Sequence, residues 1–343
     1  MNRWFRNLII LIALIMGQNA LGQTAEDQGV NMKKTGQSTM NFLQVGVVPE
    51  AAALGDAYTA VGQGIQSVFF NPAGLAEMTN KVEFFLSNTE WIADIQYIAN
   101  GAAVNLARYG AIGFSLVHVD YGDIIGTRLI SVAEIATDET GYVETGLVKN
   151  VGAYAFGLTY AQNISTLFKF GVSARYVIQQ LGQSMLASGL KYNEHRLMVF
   201  DLGVKYYTPI KSFRFAMSIR NFANAVKYEE ITTQLPMTFA VGGVVDVMDI
   251  LNPTRDGSSS LLASIEFTHP NNYTERLHMG LEYTLGGMVS IRGGYVTNHD
   301  VKGWSGGFGL RPNIGGLTAK ISYSYSNMDI FSDVNRLAVT FAF

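Results

Sequence analysis

The chain of 343 residues contains no cysteine, which excludes disulfides, thiol nucleophiles and zinc–thiolate centres. The absence also suits a protein that crosses an oxidising compartment unfolded. Charge is scarce too: Asp, Glu, Lys and Arg make up 15%, against roughly 25% in soluble domains. The formal balance of −3 leaves no charge-driven affinity for nucleic acid. No stretch approaches the roughly eighteen apolar residues of a membrane helix. The five histidines, His118, His195, His269, His278 and His299, show no close metal-ligand spacing, so no metal or cofactor is expected. Glycine, by contrast, is abundant at 36 residues, and aromatics reach 12%.

What the chain has instead is a repeated alternation. In Phe168 to Gln179, Phe168, Phe170, Val172, Ala174, Tyr176 and Ile178 share one face. Lys169, Gly171, Ser173, Arg175 and Gln179 occupy the other, and only Val177 breaks the pattern. Runs of roughly nine to eleven residues with one apolar face are the length of tilted β-strands that cross a bilayer. Fourteen such runs are expected between residues 81 and 343, making an all-β, antiparallel transmembrane barrel embedded in outer-membrane lipid. The connectors support this. Short turns around Arg108, Asn163, Pro209, Gly286-Gly287 and Pro312-Asn313 alternate with long segments at 122–148, 181–196 and 223–236, as periplasmic turns alternate with extracellular loops. Residues 248–259 are the exception, a long connector where a short turn is expected.

The facing of individual residues follows. Tyr154, Phe156, Leu158 and Tyr160, with Met198, Phe200, Leu202, Val204 and Tyr206, are expected outside. Tyr160, Tyr206 and Tyr283 at one level, and Tyr176, Tyr295 and Tyr325 at the other, form two aromatic girdles. The opposite faces carry Lys169, Arg175, Lys205, Arg214, Arg220, Arg292, Lys320 and Arg336 against Glu83, Asp201, Glu266 and Glu282. These charges are expected to pair with one another and with whatever fills the lumen.

The ends of the chain carry signals of their own. Arg3, Arg6, the apolar run Leu8 to Met16, and Ala20-Leu21-Gly22 read as a cleaved export signal over residues 1–22. Residues 23–80 are expected to form a periplasmic stretch followed by a compact plug. Within it Pro49 opens a helix through Ala60, and Asn71 caps a second turn with Pro72 at its first position. The last strand ends Leu337, Val339, Phe341, Phe343. Its Phe341 and Phe343 are similar to the C-terminal signal read by the barrel-insertion machinery.

The stretches Ala53-Leu54-Gly55-Asp56-Ala57-Tyr58-Thr59-Ala60 and Ser67-Val68-Phe69-Phe70-Asn71-Pro72-Ala73-Gly74-Leu75-Ala76 resemble the N-terminal signature of FadL-type outer-membrane barrels. With Phe42-Leu43-Gln44-Val45-Gly46 before them, they resemble more closely the PorV/PorQ family. The resemblance implies a fourteen-stranded barrel with an N-terminal hatch, in which Gly55, Asp56, Asn71, Pro72 and Gly74 are structural hatch residues. It also implies a role in type IX protein secretion, with a translocon subunit and secreted cargo as partners. The alternative it implies is a FadL-type channel for hydrophobic small molecules, for which Met185, Leu186, Leu190 and Tyr192 would line a loop pocket. Ser264, His278 and Glu282 share parity on adjacent strands and are the sole candidate for a hydrolytic trio. With nothing further to support that trio, a non-enzymatic protein is expected.

Overall fold

The computed structural model describes residues 38–130, 140–186, 189–210, 212–228, 230–252, 257–314 and 317–343. The expected export signal lies outside these residues, as does part of the 122–148 connector. Fourteen antiparallel strands form the wall: β1 (Val82–Glu90), β2 (Gln96–Asn105), β3 (Ala111–Asp120), β4 (Val151–Asn163), β5 (Phe168–Leu186), β6 (Gly189–Tyr207) and β7 (Arg214–Phe222). They continue as β8 (Thr238–Asp246), β9 (Ser259–Pro270), β10 (Arg276–Leu285), β11 (Val289–Val296), β12 (Trp304–Leu310), β13 (Leu317–Ser326) and β14 (Val334–Ala342). Each pairs with its sequence neighbour, and β14 returns to β1 with Phe341 opposite Phe84 and Leu337 opposite Asn88. The ring is therefore closed, and closure removes the sheet edges that a bilayer cannot satisfy.

Alternation decides which way each side chain points. Along β1 the pattern of exposure is strict: Phe84 and Leu86 lie outside, while Phe85, Ser87 and Thr89 are buried inside. The same parity exposes Phe156, Leu158 and Tyr160 on β4, and Met198, Phe200, Leu202 and Tyr206 on β6. Tyr160, Tyr206 and Tyr283 stand outward near the end with the short turns, joined there by Phe343 packed edge-on against Phe84. Tyr176 and Tyr295 stand outward toward the other end, where Trp304 lies against Tyr325. Val177, the residue that interrupts the β5 pattern, points inward and is fully buried in the apolar core.

Two of the long connectors differ from expectation. The segment 181–196 is not a loop, because β5 and β6 each run for 19 residues and pair from Phe168↔Tyr206 to Leu186↔Gly189, with an irregularity between Gln180 and Gln183. At about 3.3 Å per residue and a tilt near 40°, this hairpin stands roughly 20 Å beyond an apolar band about 25 Å tall. Within 122–148, Ile125–Leu129 pairs with Tyr142–Leu147 as a separate small hairpin. The 248–259 connector, where a short turn is the rule, opens with the one-turn helix Val247–Leu251, capped by the Asp246 side chain on Met248 N.

The core of the molecule lies inside the ring. Residues 38–80 lead to β1 as a 3₁₀ turn at Asn41–Gln44, the short helix α1 (Pro49–Ala53) and two further 3₁₀ turns, Gly64–Phe69 and Pro72–Glu77. α1 ends seven residues before the expected Ala60, because Gly55 and Asp56 both adopt left-handed conformations, φ 64° and 68°, and turn the chain. Val48, Leu54, Tyr58, Ile65 and Leu75 of this segment are buried with Phe85, Tyr97, Val119 and Val199 of the wall. Two wall glycines show how close the approach is. A Cβ at Gly203 would overlap the Asn71 carboxamide oxygen, and one at Gly294 would overlap the backbone of Leu54 and Gly55.

Candidate functional site

The N-terminal segment is held by polar contacts from all round the ring. Glu83 of β1 accepts from Ile65 N at 2.9 Å, and Ser87 donates to Val47 O at 2.7 Å. Across the lumen, Glu266 of β9 accepts from both Thr59 N and Thr59 Oγ1 at 2.8 Å. Lys205 of β6 donates to Gly62 O and pairs with Glu77 at 3.2 Å. Lys320 and Ser322 of β13 donate to Glu50 at 2.6 and 3.0 Å, and Arg336 of β14 donates to Gly46 O at 2.8 Å. A segment bonded to β1, β6, β9, β13 and β14 lies across the barrel interior.

The motif residues sit at the centre of this arrangement. Asn71 caps the second turn through Ala73 N at 3.0 Å, and its amide donates to Thr59 O at 3.1 Å and to Val204 O of the wall at 3.2 Å. Pro72 occupies the first position of that turn and lies against Gly171. Gly74 packs on Ser67 and the Gly62 carbonyl. Asp56 pairs with Lys302 from the β11–β12 loop. Burial opposes ionisation of the Asp56 carboxyl, but Lys302, with His278 and Arg336, holds it down to about 2. Burial likewise opposes ionisation of Glu50, and Lys320 and Arg292 overcome it, again to about 2.

Two cavities flank the segment. At the long-loop end a space of about 590 Å³ has Met40, Phe42 and Val45 as its floor. Trp91, Tyr97, Tyr121 and Tyr273 bring aromatic rings to its lining, Arg276 lies over Tyr273 and Arg336 over Trp91, and Lys302, His278 and His299 complete the polar part. Burial, with Arg276 and Lys302 nearby, pushes the His299 imidazole down to about 4, so it is neutral at physiological pH. At the short-turn end a space of about 400 Å³ is lined mainly by polar groups, among them Glu50, Gln66, Glu77, Glu83, Arg214 and Lys320. Ala60 packs with Ala216 and Val244 of the wall, beside Val61 and Leu262 of the short-turn cavity's lining.

The other sequence-derived candidates fall elsewhere. Met185 and Leu186 lie on β5, and Leu190 and Tyr192 on β6. Leu190 and Tyr192 are 48% and 59% exposed, outside the described cavities. Ser264, His278 and Glu282 do not assemble. Ser264 donates to Gly280 O at 3.3 Å, His278 bonds Gly55 O at 2.6 Å and Thr268 Oγ1 at 2.9 Å, and Glu282 pairs with Arg292. His299, which sequence places on the surface, turns into the cavity and accepts from Lys302 N at 2.9 Å. Trp91, Tyr121, Tyr273 and Arg276 were not legible as site residues, since no spacing links the separate connectors and strand end that carry them. Phe343 closes the ring, its carbonyl accepting from Lys81 N at 2.8 Å, and Phe341 is paired with Phe84.

No family model matches the chain, and neither does any curated protein. Among solved structures it is similar to the CymD monoaromatic hydrocarbon channel, at 14% identity and a TM-score of 0.56, over 87% of this chain and 98% of that one. It is similar also to the Pseudomonas putida toluene transporter TodX, at 11% identity and a TM-score of 0.51, again over 87% and 98%. At such identities the likeness is one of fold alone, that of a closed antiparallel β-barrel.

Proposed function

We propose that the protein is a non-enzymatic outer-membrane channel that takes up small molecules with an apolar body, its N-terminal segment serving as the hatch. The observation that carries this reading is the cavity of about 590 Å³ at the long-loop end, lined by four aromatic rings and by residues of the segment itself. In this reading the long-loop end is extracellular, Asn71, Pro72 and Gly74 seat the hatch, and Gly55 and Asp56 turn it beneath the cavity. Residues 1–22 are the export signal, 23–80 the periplasmic stretch and hatch, and 81–343 the barrel. Phe341 and Phe343 are the residues read at insertion. Cells that carry the protein are expected to take up labelled toluene, a neutral ring, or labelled benzoate, a charged one, faster than cells that lack it, and equal rates for both probes would refute the reading. Amino-terminal sequencing of the mature protein is expected to begin at Gln23.

A second reading, in type IX secretion as a PorV/PorQ-like protein, draws on the projecting surfaces. Leu190 and Tyr192 on the long hairpin, and Ile125, Leu129 and Tyr142 on the small one, are exposed well beyond the apolar band, as a docking face for translocon or cargo would be. Native-membrane pull-down separates the two: stoichiometric recovery of a very large barrel or of exported proteins supports secretion, and a lone barrel supports uptake.

A further inference from the structure

The cavity at the long-loop end contains more positive charge than its own carboxylates neutralise. Arg276, Lys302 and Arg336 line it, Asp56 is the one carboxylate of the described residues in its lining, and Asp300 acts on Arg276 from outside that lining. Lys302 pairs with Asp56. Arg336 is directed by uncharged partners, donating to Gly46 O at 2.8 Å and Ser326 Oγ at 3.0 Å while stacking 5.5 Å from the centre of the Trp91 ring. Arg276 has no hydrogen-bond or ion-pair partner for its side chain among the described residues. Its Nε is buried and unpartnered, and its guanidinium lies 4.7 Å over the Tyr273 ring. Two guanidinium groups thus face one space without a counter-ion in contact.

A partly buried cation without an anion is costly, and a planar guanidinium matches a carboxylate or sulfonate through two parallel hydrogen bonds. The rest of the lining narrows the class further. Trp91, Tyr97, Tyr121 and Tyr273 offer flat faces, and Trp91 and Tyr97 meet edge to face with centroids 6.2 Å apart. Ser38, Asn41 and Gln179 interrupt the apolar surface. A ring finds stacking partners here, whereas an extended acyl chain finds no continuous apolar slot.

We infer that this cavity binds ring-bodied organic acids, with the acid group at Arg276 and Arg336 and the ring against the Trp91–Tyr97 side. The inference rests on the channel reading above and names the class of molecule that the channel takes. It sets this chain apart from a carrier of neutral hydrocarbons and from one of long-chain acids.

The test is equilibrium dialysis of 2-naphthoate, of its neutral isostere 2-naphthamide, and of decanoate against the full-length protein in lipid nanodiscs, with empty nanodiscs as blank. Naphthoate is expected to bind saturably at one per barrel, and at least tenfold more tightly than either other probe. Arg276→Gln is expected to bring naphthoate down to the level of the amide, and Arg276→Lys to fall between. Equal binding of naphthoate and naphthamide to the unaltered protein would overturn the inference and leave the channel reading standing, with no dependence on how any variant folds. Tighter binding of decanoate than of naphthoate would overturn the ring-bodied class. Failure of all three probes to bind would overturn both the inference and the channel reading's use of this cavity.

Discussion

The two halves of the lumen use the same residue types to opposite ends. Toward the short turns, Lys320 meets Glu50, Lys205 meets Glu77 and Arg292 meets Glu282, and in the cavity lining the carboxylates Glu50, Glu77, Glu83 and Glu282 outnumber the cations Arg214, Arg311 and Lys320. Toward the long loops, Arg276 and Arg336 face open space with aromatic neighbours and no carboxylate in contact. Matched buried charges fix a single arrangement, because removing either partner strands the other. Unmatched charges around a cavity leave a demand that a ligand can meet. The lower half therefore reads as the seat of the N-terminal segment, and the upper half as a place for something from outside.

The sharpest way to break that contrast is to unseat the segment. Gly294→Val puts a branched side chain into the backbone of Leu54 and Gly55, and is expected to destabilise the barrel by about 3 kcal/mol or more. Denaturant unfolding in detergent, followed by the loss of heat-modifiable migration, would check it. Glu50→Gln leaves Lys320 without its counter-ion beside a buried position and is expected to cost about 3 kcal/mol by the same measurement. In the upper half, Arg276→Gln is expected to cost no more than about 1 kcal/mol, since the stacking on Tyr273 is lost but no hydrogen bond or ion pair among the described residues. A drop as large as that of Glu50→Gln would erase the distinction between the halves.

Acid provides a graded version of the same experiment. Glu50 and Asp56 are held at about 2, below their ordinary 4.5 and 3.8. A depressed carboxyl contributes stability that is complete above the ordinary value and is lost as pH falls toward the folded one. His299 acts in the same direction at higher pH. Its folded value near 4 lies below 6.5, so the folded state resists the proton and stability declines from pH 6.5 toward 4. Protease cleavage within residues 38–80 is expected to rise modestly from pH 6.5 to 4.5 and more steeply below 4.5. Cleavage that is flat across this range would contradict the seating described here.

The wall was legible in sequence because lipid imposes a rule on every second residue. Phe84, Leu86, Phe156 and Leu158 must be apolar where they meet the bilayer, whatever their neighbours do. Beyond the bilayer that rule lapses. The outer ends of β5 and β6, rich in polar residues such as Gln180, Gln183, Ser184 and Asn193, therefore looked like a loop although they pair as strands. The early end of α1 was hidden for another reason. Ala57 and Ala60 favour helix, but Gly55 and Asp56 take left-handed conformations that bring the chain against Gly294. The pairing of wall charges with the segment was foreseeable in kind, since an enclosed lumen cannot leave so many cations bare, but not in its particular couples. Least legible was the cavity, which gathers Trp91, Tyr121, Tyr273 and Arg276 from different loops and strand ends through barrel closure alone.

The central claim is that the N-terminal segment, which contributes residues to the lining of both cavities, is the barrier between them and must move for solute to pass. The absence of native cysteine makes this directly testable with a paired Ala60→Cys and Val244→Cys variant reconstituted in liposomes. Flux of 2-naphthoate is expected to fall to the protein-free rate when the pair is oxidised and to return on reduction. Unchanged flux through the oxidised, cross-linked barrel would contradict the account.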